Sequence, residues 1–237
     1  MLKDWSFFAL LLFAYDYSRG LADQLGRSVD FTVVRNIDRA MFLGHDPNVW
    51  IQQQLNISSD LAWYEYPLAI TYMTHFIVPI SVAVFLWIRN RTEWLRFMRR
   101  LGLLLAAGVM TYVIFPVAPP WMSARNGYIA PIRRITARAW GDMGLSTVSK
   151  LFERGAAITN PVAALPSLHA AFSLLVVAFF WRRMPMWLRV ASLLLPASMA
   201  ICLVYFGEHW VTDILLGWLY VWFVFWVANR WERSPIV

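Results

Sequence analysis

Two histidine motifs lie forty residues apart and contain residue types that can carry out nucleophilic chemistry. The first is Pro-Ser-Leu-His at 166–169, and the second is Gly-Glu-His at 207–209, followed by Asp213. If a helix begins near His209, Asp213 lies one turn later on the same face, where it can accept a hydrogen bond from one imidazole nitrogen. The other nitrogen is then free to attack an electrophile, so His209 is a candidate nucleophile.

The residues around the first histidine favour anion binding. We expect a helix to begin near Ser167, with the backbone amides of Ser167, Leu168 and His169 pointing toward a phosphate. The Ser167 hydroxyl adds a donor, and protonated His169 can give a proton to a departing oxygen, a role typically worth about 10²- to 10⁴-fold. The two motifs together predict phosphoryl chemistry, with Ser167 and Leu168 as phosphate-binding residues.

The elements that must position these residues are predicted to span a membrane. Hydrophobic residues make up 59% of the 237 residues, charged residues only 15%, and the mean hydropathy is +0.51. This composition is typical of an integral membrane protein, and a spanning helix needs about 20 apolar residues. We therefore predict an all-α integral membrane fold of six transmembrane helices, at residues 5–22, 66–88, 101–118, 167–181, 187–207 and 210–229.

The chain divides into three parts on this basis. Residues 1–63 hold the first transmembrane helix, which we expect to be retained because no small-residue cleavage site follows it, and an interfacial segment. Residues 64–230 form the catalytic core with helices two to six, and residues 231–237 form a cytoplasmic tail.

Interfacial helices are expected in the long outer loops. Between residues 23 and 65, charged residues separate apolar residues at helical spacing, which predicts a helix lying in the membrane interface, with an ordered loop as the alternative. The apolar residues of this pattern are Val33, Val34, Ile37 and Met41.

Basic residues cluster on one side of the predicted bundle. The turns at 89–100 and 182–189, with the terminal segments at 3–4 and 230–233, hold 11 of the 21 Lys and Arg residues but only three acids, Asp4, Glu93 and Glu232. The positive-inside rule makes this side cytoplasmic, so both termini are predicted inside and the histidine motifs outside. Membrane orientation, and not nucleic-acid binding, accounts for the formal charge of +7.

Further candidates for substrate binding lie in the outer loop at 121–165 and in the second span. Arg125, Arg133 and Arg134 are candidates because a transferring phosphoryl group needs cationic clamps. The loop is long enough to form a lid. The remaining candidates are Trp121, Asn160 and His75, with a packed core residue as the alternative for His75.

These motifs resemble those of the type 2 phosphatidic acid phosphatase superfamily over about residues 64–230. The resemblance implies a six-helix membrane core and a phosphohistidine mechanism that needs no metal or cofactor. In that mechanism His169 is the acid, His209 the nucleophile and Asp213 the orienting carboxylate. The Phe-Pro-Val-Ala-Pro-Pro-Trp element at 115–121 and the Pro-Ser-Leu-His variant are similar to the inositol phosphorylceramide synthase (aureobasidin-target) branch and its bacterial relatives.

The sequence also departs from the phosphatase branch. The Lys and Arg-Pro motif expected before the first histidine is missing, and Cys202 and Leu203 replace the Ser-Arg pair before the nucleophile. The charge of the phosphate must then be neutralised elsewhere. The resemblance implies a lipid-phosphate or phospholipid substrate, an alcohol acceptor such as inositol or a sugar, and a bacterial plasma membrane location.

We predict a lipid phosphotransferase or phosphatase that favours transfer of a phospho group or phospho-headgroup. A simple lipid-phosphate phosphatase of the phosphatidate or polyprenyl phosphate type is the first alternative. A non-catalytic lipid-binding or transport protein on the same scaffold is the second. A zinc metallohydrolase, with its ligands drawn from the histidine motifs, is the third; those ligands would be His169, His209, Asp213 and Glu208.

Overall fold

The computed structural model describes residues 25–55, 60–136, 138–147, 149–150 and 161–233, with Trp5, Ser6, Leu10 and Phe13 from the N-terminal segment. Within these ranges the chain is helical, and strand pairing is limited to two isolated bridges. The elements are α1 (Val33–Met41), α2 (Pro47–Gln54), α3 (Glu65–Arg89), α4 (Arg91–Ile114), α5 (Pro120–Arg125), α6 (Arg138–Asp142), α7 (Leu168–Phe180), a 3₁₀ turn (Trp181–Arg183), α8 (Met186–Ser192), α9 (Leu194–Tyr205) and α10 (Val211–Arg233).

Four helical segments in the described ranges are long and apolar enough to cross a membrane. They are α3, α4, the pair α8 and α9 over Met186–Tyr205, and α10 over Val211–Glu232. They correspond to four of the six predicted spans and make the chain an integral membrane protein. The predicted span at 5–22 lies outside the described residues, apart from the four named above.

The helix predicted at 167–181 is present as α7, within a residue of its predicted bounds, but it is not among the four candidate spans. It has 13 residues, below the length of about 20 needed to cross a bilayer. It packs against α3, α4, α9 and α10, and seven of its residues are buried. A helix enclosed by its neighbours contacts protein along most of its surface. Its apolar residues are therefore explained by burial in protein as well as by contact with lipid.

Helix α4 differs from its predicted bounds of 101–118 at both ends. It begins at Arg91 because the Asn90 side chain caps it, accepting a hydrogen bond from the Glu93 amide at 3.1 Å. The predicted basic turn is therefore mostly helix. The helix ends at Ile114, since Pro116 disfavours helical geometry in the residue before it.

An ion-pair network joins α4 to α10 at the basic end of the bundle. Arg100 is 5% exposed and donates to both carboxylate oxygens of Glu232, at 2.9 and 3.0 Å, and to the Asn229 side chain at 2.8 Å. Arg183 pairs with Glu93 nearby. Arg100, counted above among the charges of a cytoplasmic turn, thus lies inside the protein.

The start of α7 packs directly on the backbone of α10. The Ser167 amide donates to the Asp213 carbonyl at 2.9 Å. A Cβ atom at Gly217 would lie 2.5 Å from the Ser167 carbonyl oxygen, so glycine is required for this approach. The contact holds the two histidine-bearing segments together.

Helix α1 is the helix predicted in the first outer loop. Val33, Ile37 and Met41 are 44 to 47% exposed, whereas Val34 and Asp38 are buried against the protein. The predicted apolar pattern is therefore divided between two faces. The location of α1 in the membrane interface stays a prediction, as does the division at residues 63 and 230.

Candidate active site

The structure brings His169, His209 and Asp213 together. The Nδ1 atom of His209 lies 3.3 Å from the Asp213 carboxylate, and its Nε2 atom lies 3.4 Å from Nδ1 of His169. His209 is 6% exposed and Asp213 is fully buried. The carboxylate can therefore fix the His209 tautomer and leave Nε2 facing the second histidine.

His209 lies in the short turn between α9 and α10. Gly207 has a φ of 72°, a left-handed conformation that favours glycine, and the chain then enters α10 at Val211. Asp213 also accepts a hydrogen bond from the Trp210 amide at 2.8 Å. The i, i+4 relation predicted for His209 and Asp213 is thus present, with the histidine just before the helix.

Asp38 of α1 caps the N-terminus of α10. Its carboxylate accepts from the amides of Val211 and Thr212, both at 2.8 Å, and from the Thr212 hydroxyl at 2.6 Å. Asp38 was not among the predicted site residues. Its position four residues after Val34 places both on one helix face, so the spacing could have indicated that Asp38 faces the protein.

Two side-chain amide groups of α2, those of Asn48 and Gln52, hydrogen-bond the turn that carries His209. The Asn48 side chain donates to the carbonyls of Val204 and His209, at 2.8 and 3.0 Å. The Gln52 side chain donates to the Tyr205 carbonyl at 2.7 Å and joins the turn to the 131–136 segment through the Arg133 backbone. Sequence reasoning missed both residues, although their spacing places them on one helix face.

The proline-rich element at 115–121 supports the same turn from another side. The Trp121 amide donates to the Gly207 carbonyl at 3.0 Å, and the Trp210 indole donates to the Ala118 carbonyl at 2.9 Å. The element also hydrogen-bonds the backbone at Asp30 and Val162. The proline-rich element therefore supports the turn that carries His209.

Arg134 is the predicted cation that the structure brings to the His209 turn. It forms a bidentate ion pair with Glu208, at 2.8 and 3.1 Å, and its guanidinium lies 4.7 Å above the Trp121 ring. Glu208 also accepts a hydrogen bond from the Thr136 hydroxyl. Burial lowers the pKa of Arg134, but the Glu208 carboxylate outweighs that effect and raises the pKa above its usual value.

The other predicted contacts are placed differently. Arg125 and Arg133 are exposed, and Asn160 lies outside the described residues. Ser167 is fully buried, and its hydroxyl oxygen accepts from the Ala170 amide at 3.3 Å. Its own amide, expected to face a phosphate, donates to the Asp213 carbonyl instead. Leu168 is buried.

His75 packs against the catalytic candidate His169. The two ring centroids are 3.9 Å apart, and Phe172 stacks on the other side of His75. Tyr72 also contacts His169, with centroids 4.8 Å apart. A small pocket adjoins His75 between α3, α7 and α9. His75 therefore packs against His169 and lines this pocket, whereas His45 is exposed.

The four residues considered as zinc ligands have different partners. Glu208 faces Arg134, whereas His169, His209 and Asp213 contact one another. No group of three or more His, Cys, Asp and Glu that could hold a metal ion is found within the described ranges.

Comparison with known proteins gives a family match over most of the chain. The sequence model of the PAP2 superfamily matches residues 33–227, so the family core includes α1 and α2 and begins earlier than the resemblance at 64–230 indicated. A phosphoinositol dihydroceramide synthase of Bacteroides thetaiotaomicron is 25% identical over 223 residues, which cover 89% of this chain and 70% of that protein.

Inositolphosphotransferase 1 of Saccharomyces cerevisiae is 27% identical over 155 residues, which cover 60% of this chain and only 26% of the yeast protein. No solved structure gives a significant match. Because the family match extends over most of the chain and includes both histidine motifs, the chain belongs to the PAP2 superfamily and is an enzyme that acts on lipid phosphates.

Proposed function

We propose that this enzyme transfers a phospho-headgroup from a phospholipid to an alcohol through a phosphohistidine formed on His209. The observation that carries the proposal is the Asp213, His209 and His169 series, in which the carboxylate holds Nδ1 and Nε2 faces the second histidine. This is the arrangement required of a nucleophile with an orienting group on one side and an acid on the other.

In the first half-reaction, Nε2 of His209 attacks phosphorus and the bond to the lipid alcohol oxygen breaks. His169 donates a proton to that oxygen, so the alcohol leaves neutral. Asp213 stabilises the positive charge that develops on the His209 imidazole. The product is a phosphoramidate bond between His209 and the phospho-headgroup.

In the second half-reaction, His169 takes the proton of the acceptor hydroxyl while its oxygen attacks phosphorus. The bond between phosphorus and His209 then breaks, which restores both histidines. Arg134 pairs with Glu208, the residue directly before His209, so it is the cation that we assign to the phosphate.

The acceptor is proposed to be an alcohol in preference to water. The name of the Bacteroides relative combines a phosphoinositol group with a dihydroceramide. By analogy, inositol would belong to the transferred headgroup and the acceptor would be a lipid alcohol, which reverses the acceptor first considered from sequence. The low exposure of His209 supports this choice, since a buried phosphohistidine is protected from water. Simple hydrolysis is the alternative.

We also propose that the site faces the extracytoplasmic side and that both termini are cytoplasmic. Helix α4 has 24 residues and is therefore about 36 Å long. Its basic first turns lie at the end opposite the proline-rich element, which contacts the His209 turn. The positive-inside rule then supports an outward-facing site, here in a bacterial plasma membrane.

Replacement of His209 tests the mechanism. His209→Ala should abolish formation of an acid-labile, alkali-stable phosphoenzyme from a radiolabelled phospholipid, whereas His45→Ala, a change at an exposed histidine, should leave labelling intact. Turnover or histidine labelling that persists in His209→Ala would contradict the proposal. Treatment with a chelator should not change activity; a loss restored by zinc would favour the metallohydrolase.

The acceptor is tested by mass spectrometry of products formed from native membrane lipids and purified protein. Transfer predicts a new phospholipid that depends on an added lipid alcohol, together with equimolar diacylglycerol. Release of free headgroup phosphate regardless of the alcohol would favour hydrolysis. Tight lipid binding without any product would favour the non-catalytic alternative.

A further inference from the structure

The charge balance around the nucleophile differs from what a phosphomonoester would require. Arg134 is paired with Glu208, and the fully buried Asp213 adds a second carboxylate close to His209. Cys202 and Leu203, at the places of the phosphatase branch's Ser-Arg pair, are both fully buried and uncharged. The described site therefore has one cation whose charge is already balanced by an acid.

A phosphomonoester places more charge in such a site than a phosphodiester. A monoester carries about −1.5 to −2 at pH 7, because its second pKa is about 6. A diester has lost that second ionisable oxygen and carries a single charge. Coulomb repulsion from a carboxylate beside the nucleophile therefore costs a monoester roughly twice as much as a diester.

Glu208 lies next to the Arg134 cation, and it precedes His209 directly in the chain. It is 7% exposed and is held by Arg134 and the Thr136 hydroxyl. Low exposure limits screening by water and salt. Its charge therefore offsets the attraction that Arg134 would exert on an anion.

We propose that Glu208 is a specificity-determining residue that rejects phosphomonoester lipids and so commits the site to phosphodiester lipids. The proposal rests on the proposed function, in which His209 attacks a lipid phosphorus. It assigns to Glu208 a role opposite to that of a phosphate clamp: the carboxylate removes part of the attraction that Arg134 would otherwise offer to a dianion.

The test compares Glu208→Gln with the wild-type full-length protein in detergent micelles of fixed lipid content. Glutamine keeps an oxygen for Arg134 and Thr136 but removes the charge. The matched control is Glu65→Gln, because Glu65 is also buried, 1% exposed, and forms a bidentate pair with an arginine, here Arg138, while it also accepts a hydrogen bond from the Tyr205 hydroxyl. Phosphatidic acid is the monoester probe, and phosphatidylinositol with a long-chain alcohol acceptor is the diester probe.

We expect the ratio of kcat/KM for phosphatidic acid to kcat/KM for phosphatidylinositol to rise about tenfold or more in Glu208→Gln, mainly through KM. The ratio should not change in Glu65→Gln. An unchanged ratio in Glu208→Gln, or an equal rise in both variants, would overturn the proposal. So would a wild-type enzyme that turns over both lipids equally well, although phosphohistidine chemistry would then still stand.

A measurement of lipid binding tests the role of Glu208 separately from the proposed function. The increase in unfolding temperature caused by phosphatidic acid should be larger in Glu208→Gln than in the wild type, whether or not turnover occurs. If neither lipid is turned over but this difference is present, the proposed function fails and the role of Glu208 is retained. If the difference is absent while transfer is active, the role of Glu208 fails alone.

Discussion

Both ends of the helical bundle contain buried charged groups, but these groups differ in how completely they are hydrogen-bonded. The basic end holds Arg100 and Glu232, and the site end holds His169, His209 and Asp213. At the basic end, Arg100 donates to Glu232, Asn229 and a backbone carbonyl, and leaves only its Nε atom without a partner. At the site end, four buried polar atoms have no hydrogen-bond partner among the described residues: Asp213 Oδ1, His169 Nε2, His75 Nδ1 and Asn48 Oδ1. Trp94 Nε1, in the first turn of α4, is a further such atom at the basic end.

This difference separates structural charge from chemical function. Leaving a buried polar atom unsatisfied costs about 1–3 kcal/mol. The basic end joins α4 to α10. At the site end, two of the unsatisfied atoms belong to Asp213 and His169, to which the proposed reaction assigns roles.

The largest expected effect is on catalysis at the site end. Asp213→Asn should lower kcat about 10⁴-fold, because an amide cannot fix the His209 tautomer or stabilise its positive charge. The unfolding temperature should change little, since the change removes a buried charge. Asp142→Asn, at an exposed acid that binds Tyr66, is the control and should leave kcat unchanged. A similar fall in kcat in both variants would show that Asp213 has no greater role in catalysis than an exposed acid.

At the basic end we expect the reverse pattern. Arg100→Ala leaves Glu232 without its main partner and should lower the free energy of unfolding by about 3 kcal/mol, measured by denaturant in detergent. The kcat of the protein that remains folded should stay within about twofold of the wild type. Arg182→Ala, at an exposed residue of the same end, should change neither quantity. A large fall in kcat for Arg100→Ala would show that the two ends are coupled.

The contact between α7 and α10 is tested by Gly217→Ala. The added Cβ would meet the Ser167 carbonyl at 2.5 Å, so the two histidine-bearing segments must separate. We expect a loss of about 1–3 kcal/mol in stability and a fall of about tenfold in kcat. Gly141→Ala is the control, because a Cβ there meets nothing within 4 Å. Unchanged kcat would mean that the site tolerates this displacement.

The smallest effect is expected from the helix caps. Asp38→Ala removes the cap of α10, and Asp30→Ala removes the side-chain contacts to the start of α1. Each should cost about 1 kcal/mol of stability. Only Asp38→Ala should also lower kcat, by about threefold to tenfold, because α10 carries Asp213. Equal kcat values in the two variants would show that the cap does not position the site.

Much of the site was predictable because its parts are local. The i, i+4 relation of His209 and Asp213 depends only on a helix starting after Gly207, and capping at Ser167 follows from its residue type. The choice among Arg125, Arg133 and Arg134 was not predictable. All three lie in one outer segment, and only the packing of that segment on the His209 turn brings Arg134 to Glu208.

The same limit applies to the fold. Hydropathy predicted five helical segments that the structure contains, including the short α7, but it could not show that α7 is enclosed by other helices, since protein and lipid surroundings favour the same apolar residues. The bounds of α4 followed from the Asn90 cap and Pro116, both of which were readable in the sequence.

The sequence alone determined the membrane class, the family resemblance and the residue types of the reaction, because composition, hydropathy and short motifs are local properties. The tertiary structure decided which groups meet: His169 with His209 across forty residues, Asp38 with α10 across more than 170, and Arg134 with Glu208 across 74. Such contacts depend on helix packing and loop paths, and no local pattern encodes the distance between two segments that are remote in the chain.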